Sequence, residues 1–387
     1  MSGTMSFDCF RIDGTPPRQF EPEDLDALKQ HAIGEAKSYS HEQTRVGFLG
    51  GHHLLDNDFD LEKNVFGDAL HFAIRIDTNR VPAAIQRAWL QIELAMLTAD
   101  SPGRRPTKAQ RQEAKEAVEA RCEEAAASGQ FQRMQQFPVL WDANNALLYC
   151  GGTSIAANDA CSELMFQAFD VEPRRLSSGK MASEWAAAAR HRQALNQTLP
   201  ANFRGDGDRV DVAWWNADKD NYDFLGNEFL LWLWWLWDTQ GDTIELPDGS
   251  ELTGMFNRTI TLECPRGESG KETITAEDPT SLPEAEQAIR SGKLPRKAGL
   301  VLVREGEQYE LTLQGEMFTV NGARVQIDED AEGRCVLEER IDGLRRLKET
   351  VDLAFQTFCQ RRIGKSWSND LEQMQGWLKP KRGARRT

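Results

Sequence analysis

Few stretches of this 387-residue chain carry side chains spaced for chemistry. Pro265 to Glu272, PRGESGKE, has the Gly-Lys pair of a phosphate loop. Such a loop needs Gly at its first position and Ser or Thr after the Lys, whose hydroxyl binds magnesium. Pro265 and Glu272 occupy those places, and Glu272 would repel phosphate, so the stretch reads as a solvated loop. Asp56 to Glu62, DNDFDLE, opens like a calcium loop, but the sixth and twelfth positions, which should be Gly and Glu, are Leu61 and Gly67. His52-His53 is the only histidine pair; adjacent side chains diverge on a strand and no partner stands at helical spacing, which favours a surface loop over a metal site. No G-x-S-x-G elbow is present, and no compact Asp/Glu/Lys constellation suits metal-assisted phosphodiester cleavage. The expectation is no catalytic residue, no metal and no cofactor.

Two other stretches stand out for binding. Trp232, Trp234, Trp235 and Trp237 are interleaved with Leu230, Leu231, Leu233 and Leu236. Aromatics can stack on bases, but this block has no basic residue and would be apolar on every helical face, which predicts burial in a core or a subunit interface. The second stretch runs from Arg104 to Ser128, RRPTKAQRQEAKEAVEARCEEAAAS. Pro106 suits the first position of a helix, and Ala, Glu, Gln, Lys and Arg are strong helix formers. Val118 is its only large aliphatic. A helix polar all round is not docked along its length, so it reads as an arm projecting into solvent or towards a charged partner.

The elements around these stretches follow from periodicity. Phe7 to Ile12 and Arg45 to Leu49 read as strands, and Pro22 to Lys37 as a helix with Leu25, Leu28, Ala32 and Ile33 on one face. Leu70 to Ile76 alternates with period 2, a half-buried strand. Val81 to Met96 reads as an amphipathic helix with Ile85, Trp89, Ile92 and Met96 inward. Val139-Leu140-Trp141 and Ala146 to Tyr149 flank the turn Asp142 to Asn145. A helix follows over Ile155 to Phe169. Leu337 to Phe358 has near-heptad apolar spacing.

Composition sets limits. Hydrophobic residues are 40% and charged residues 28%, ordinary for a soluble globular chain. The longest apolar run, Phe229 to Trp237, is far short of the roughly 20 residues that span a bilayer. The N-terminus MSGTMSFDCFRIDG lacks a basic region followed by an apolar one. The seven cysteines are scattered without a C-x-x-C pair. Together these predict a cytoplasmic protein with no membrane partner. The net charge of −15 by itself argues against phosphate contact. The distribution offsets this: Arg104 to Arg121 holds six basic and three acidic residues, and the tail from Lys379, KPKRGARRT, holds five basic residues and no acid.

The order of strand, Pro-initiated helix, charged arm and strand-turn-strand resembles the RdgC family, the recombination-associated DNA-binding proteins of bacteria. Ala69 to Glu93, Ala157 to Leu176, and Asp278 to Val303, with its acidic helix and Gly-Lys turn, carry the resemblance further. It covers most of the chain at low identity, without a single sharp motif. It implies an α+β fold of antiparallel sheets with helices and a projecting helical arm. The expected organisation is an N-terminal lobe (1–100), the arm (101–136), a central lobe with the Trp-rich helix (137–265), a C-terminal lobe with the long helix (266–378) and a disordered basic tail (379–387).

The resemblance also implies a function. Two subunits form a ring around double-stranded DNA, bind without base readout, and limit access of the RecA recombinase, which gives a nucleoid-associated homodimer. The DNA contacts it implies are Arg104, Arg105, Lys108, Arg111 and Lys115 on the arm, and Lys293, Arg296 and Lys297 about the Gly-Lys turn. Phe131 aligns with an aromatic that closes the dimer in that family; its own sequence context reads equally as a hydrophobic anchor at the helix end. The chain departs from the family at Thr275-Ala276-Glu277, where a short basic stretch is expected. The rival reading is a metal-dependent DNA exonuclease of recombination or repair.

Overall fold

A computed structural model describes residues 3–13, 19–35, 39–41, 44–99, 105–203, 221–264, 270–328 and 331–379. The chain is mixed α and β, with antiparallel sheets and eleven helices among the described residues. Its internal contacts divide it into two units, one of 1–11, 147–153 and 174–387, the other of 12–146 and 154–173. The division threads between them several times, whereas the lobes expected from sequence are consecutive.

The second unit holds the arm. Its sheet runs in the order Gln132–Asp142, Ala69–Asn79, Thr44–Leu49, Tyr39–His41, with Val65–Phe66 also on Ala69–Asn79. Helices Pro22–Gln30 and Ile155–Phe169 pack against it. Phe48 and Phe72 meet edge to face at 5.3 Å, and Trp141 meets Phe169 at 5.1 Å. The first helix is shorter than its sequence pattern predicts. After Gln30 the chain turns to the strand Thr44–Leu49, where Ile33 N donates to Phe48 O at 3.0 Å and Phe48 N to His31 O at 3.0 Å. Gly47 permits this approach, because a Cβ there would lie 2.5 Å from the Ile33 backbone.

The strand Ala69–Asn79 is buried on both faces from Ala69 to Asp77, not half-buried as its alternation predicts. The loop after Gly50 covers the polar face. Arg75 is held there by two bonds to the Asp77 carboxylate, 2.6 and 2.7 Å, and a third to Leu54 O at 3.2 Å. His71 is on the same face, 1% exposed, with neither ring nitrogen hydrogen-bonded. Burial lowers its pKa to about 3.

The first unit contains the sheet Glu272–Ala276, Glu251–Glu263, Leu294–Arg304, Glu307–Gln314, Val320–Arg324, Met5–Ile12, Leu147–Cys150, with Thr243–Glu245 on Glu251–Glu263. The turn at Glu305-Gly306 has both φ angles positive, 52° and 83°, which suits a two-residue hairpin between twisted strands. The tryptophan helix Phe224–Thr239 packs on Leu294–Arg304, and Phe224 to Leu236 are all buried. Phe229 meets Phe355 at 5.4 Å and Phe358 at 5.7 Å, both from the long helix Arg334–Ile363. Phe224 to Leu236 are therefore core rather than a platform for base stacking, while Trp237, at the end of the block, is only half-buried. The buried acid of this helix, Glu228, is paired with buried Arg362 at 2.6 Å and accepts from Ala201 N at 2.6 Å.

Among the described residues no helix is long and apolar enough to cross a membrane.

Candidate nucleic-acid interface

The arm is a pair of helices, Ala83–Leu97 and Lys108–Ala127, packed on one another. Pro106 is not the first helical residue. Thr107 is the N-cap: its hydroxyl accepts from Gln110 N at 3.2 Å while the Gln110 side chain accepts from Thr107 N at 3.0 Å. This reciprocal cap satisfies two otherwise orphaned donors. Gln110 also donates to Leu97 O at 2.7 Å, tying the start of the second helix to the end of the first. Gly129, with φ +74°, turns the chain out of the helix.

The expectation of an undocked, all-polar helix is corrected by small residues. Ala114, Val118 and Ala125 lie at spacings of four and seven and are buried, so the helix docks through a narrow alanine seam rather than an aliphatic stripe. The converse correction applies to Ala83–Leu97. None of its residues is buried, and Ile92 and Met96, expected inward, are 50% and 57% exposed. That helix packs chiefly on Lys108–Ala127, and its outer apolar residues are left exposed. Trp89 is covered from two sides, by the Arg121 guanidinium 4.4 Å above its ring and by Phe131 edge to face at 6.2 Å. The separation of thirty-two positions between Trp89 and Arg121 hides that cation–π contact from any local sequence signal.

Arg105, Lys108, Arg111 and Lys115 are all exposed. None has an ion pair or side-chain hydrogen bond among the described residues. With 100° per residue, Lys108, Arg111 and Lys115 fall within about 60° of arc on one flank. Glu113 and Glu116 fall on another flank, and Glu119 ends the positive run one turn beyond Lys115. The helix N-terminus lies at the same end and adds its own positive potential. Arg104 lies outside the described residues, as does the basic tail beyond Lys379.

The cations about the Gly-Lys turn belong to the first unit and are differently placed. Lys293 is 5% exposed and bonded to Glu272. Arg296 bridges Glu263 at 2.8 Å and Glu316 at 2.6 Å. Both are paired with carboxylates of the same chain, Glu272 being itself exposed, so neither stands as a free cation. Lys297 is half-buried on Leu294–Arg304 without an ion pair among the described residues.

Asp56 is locked in its own loop. Lys63 lies 2.8 Å from its carboxylate, which also accepts from His52 N at 3.0 Å and Asp58 N at 3.2 Å. Burial pushes this carboxyl up, but Lys63 and the two amides outweigh it and hold it below the usual range. The acidic loop is thus a cover for the sheet. Among the described residues no group of three or more His, Cys, Asp or Glu side chains gathers at metal-binding distance.

Compared with known proteins, the sequence matches no family model and no curated protein.

Proposed function

We propose that this protein binds double-stranded DNA without base readout, as a homodimeric ring of RdgC type that coats DNA and restrains RecA-dependent strand exchange at the bacterial nucleoid. The observation that carries the reading is a group of cations, Lys108, Arg111 and Lys115 on one flank of the helix Lys108–Ala127 and Arg105 just before its cap, all exposed and unpaired among the described residues. The rest of the chain is strongly acidic. From Arg80 to Arg133 there are nine basic and seven acidic residues, against a net charge of −15 for the whole. Segregation of this kind lets an acidic protein approach phosphate along one surface while its remainder stays repelled. Contacts from arginine and lysine to backbone phosphates position a protein without reading sequence. In this reading Phe131 and the exposed apolar residues Ile92 and Met96 of the arm are buried when a second copy joins.

The test is to incubate full-length protein with end-labelled linear duplex in magnesium or manganese, and to weigh the free protein by light scattering. The reading expects retarded, full-length DNA, equal binding in EDTA, and a mass of two 43.7 kDa chains. Metal-dependent shortening of the DNA would replace it with the exonuclease.

A further inference from the structure

A cleft lies in the first unit, apart from the elements that carry the arm. Its volume is about 560 Å³, and it sits between the end of the tryptophan helix, the strand Glu251–Glu263 and residues 277–281. Its apolar wall is aromatic. Trp237 meets Phe256 at 5.4 Å and 70°, and Trp234 meets Phe256 at 6.0 Å. The wall depends on Gly254: a Cβ there would stand 2.3 Å from the Trp237 ring, so only glycine lets the indole lie against the strand. Gly254 N also donates to Asp242 O at 2.8 Å, which fixes the turn that carries the rim. The indole nitrogen of Trp237 is buried without a partner.

The rim is acidic and uncompensated. Asp238, Asp242, Glu277 and Asp278 all line the cleft, all are exposed, and none is paired with Lys or Arg among the described residues. Their bonds are to neutral donors: Trp377 Nε1 to Asp238 at 2.7 Å, Thr243 Oγ1 to Asp242 at 3.2 Å, and Thr280 Oγ1 to Asp278 at 2.9 Å. Elsewhere in the same unit acids are neutralised, as Glu263 and Glu316 are by Arg296. Four negative charges around an aromatic wall are repulsive among themselves and attractive to one kind of guest. A small metal ion would need oxygens gathered at short range, which these are not. A cation whose charge is spread over a flat or methylene-bearing group uses both features, with the ring faces for its apolar surface and the carboxylates for its N–H donors.

We propose that this cleft binds a guanidinium or alkylammonium group. The chemistry admits two sources. One is a free organic cation such as arginine or a polyamine. The other is the chain's own C-terminal sequence, whose five cations follow Trp377, the residue bonded to rim Asp238.

Titration calorimetry and tryptophan fluorescence of the full-length protein with arginine and with spermidine, at low salt, test this. Potassium chloride of equal ionic strength is the control. Saturable binding is expected, with a change in indole emission. The isosteric variant Asp242→Asn/Glu277→Gln/Asp278→Asn should bind about tenfold or more weakly, its circular dichroism unchanged. A second variant, with Lys381, Arg382, Arg385 and Arg386 changed to Ala, separates the sources. Tighter arginine binding there assigns the site to the tail, and unchanged binding assigns it to a free cation. Absence of saturation in both wild type and tail variant overturns the proposal, as does equal affinity in the isosteric variant. None of these outcomes depends on whether the arm binds DNA.

Discussion

Replacing Arg105, Lys108, Arg111 and Lys115 together by Ala should lower duplex affinity by on the order of a hundredfold or more at low salt, with no loss of fold. Each phosphate contact releases condensed counterions, so four lost contacts should flatten the slope of log affinity against log salt by up to about 3.6 units. The fold should survive because all four side chains are exposed and unpaired among the described residues, and none of them is the Thr107 cap or a buried residue of the Ala114–Val118 seam. Such substitutions usually cost less than about 0.5 kcal/mol each. Fluorescence anisotropy with a labelled duplex, read beside thermal unfolding, measures both. Unchanged affinity would reduce the arm to a solvated helix. A companion set on Lys293 and Arg296 would not be clean, since each removes an internal ion pair as well as a charge.

The second large effect is on stability and comes from His71. Its pKa falls from 6.5 to about 3 on folding because the ring is buried with both nitrogens unpaired. The folded state keeps the ring neutral where the unfolded chain takes up a proton. The stability held above pH 6.5 is therefore lost progressively as pH falls from 6.5 towards 3. The loss approaches 1.36 kcal/mol per pH unit, or about 2–3 kcal/mol between pH 7 and pH 4.5. His71→Leu removes the proton site and the two unsatisfied nitrogens at similar volume. At pH 7 it should be as stable as wild type or slightly more so, and its advantage should grow as the medium is acidified. Urea unfolding of both proteins at a series of pH values gives the difference directly. Parallel stability curves would show that His71 finds a proton partner in the folded state.

Some elements were legible because one local signal decided them. Ile155–Phe169 begins at the Ser154 cap and ends in the left-handed Asp170, and its bounds match the sequence pattern. The long helix and the burial of the tryptophan block follow from heptad spacing and from apolarity all round. The misreadings share a cause, which is partners far away in sequence. Alternation in Leu70 to Ile76 is real, but a loop carrying Leu54 roofs the polar face and Arg75–Asp77 pairing makes its burial tolerable. Ile92 and Met96 have inward-facing periodicity, yet their helix packs only where alanines of the arm let it approach. The arm cations could be picked from charge spacing alone. Whether a cation is free could not, and Lys293 and Arg296 look the same in sequence as Lys108 and Arg111 until the carboxylates beside them are placed.

The most direct measurement is the affinity of wild-type protein for a mixed-sequence duplex across a salt series from about 50 to 200 mM. Electrostatic binding along the arm predicts tight association at the low end, a linear fall of log affinity with log salt, and the same curve for a second, unrelated sequence. No binding at 50 mM, or an affinity indifferent to salt, would contradict the account.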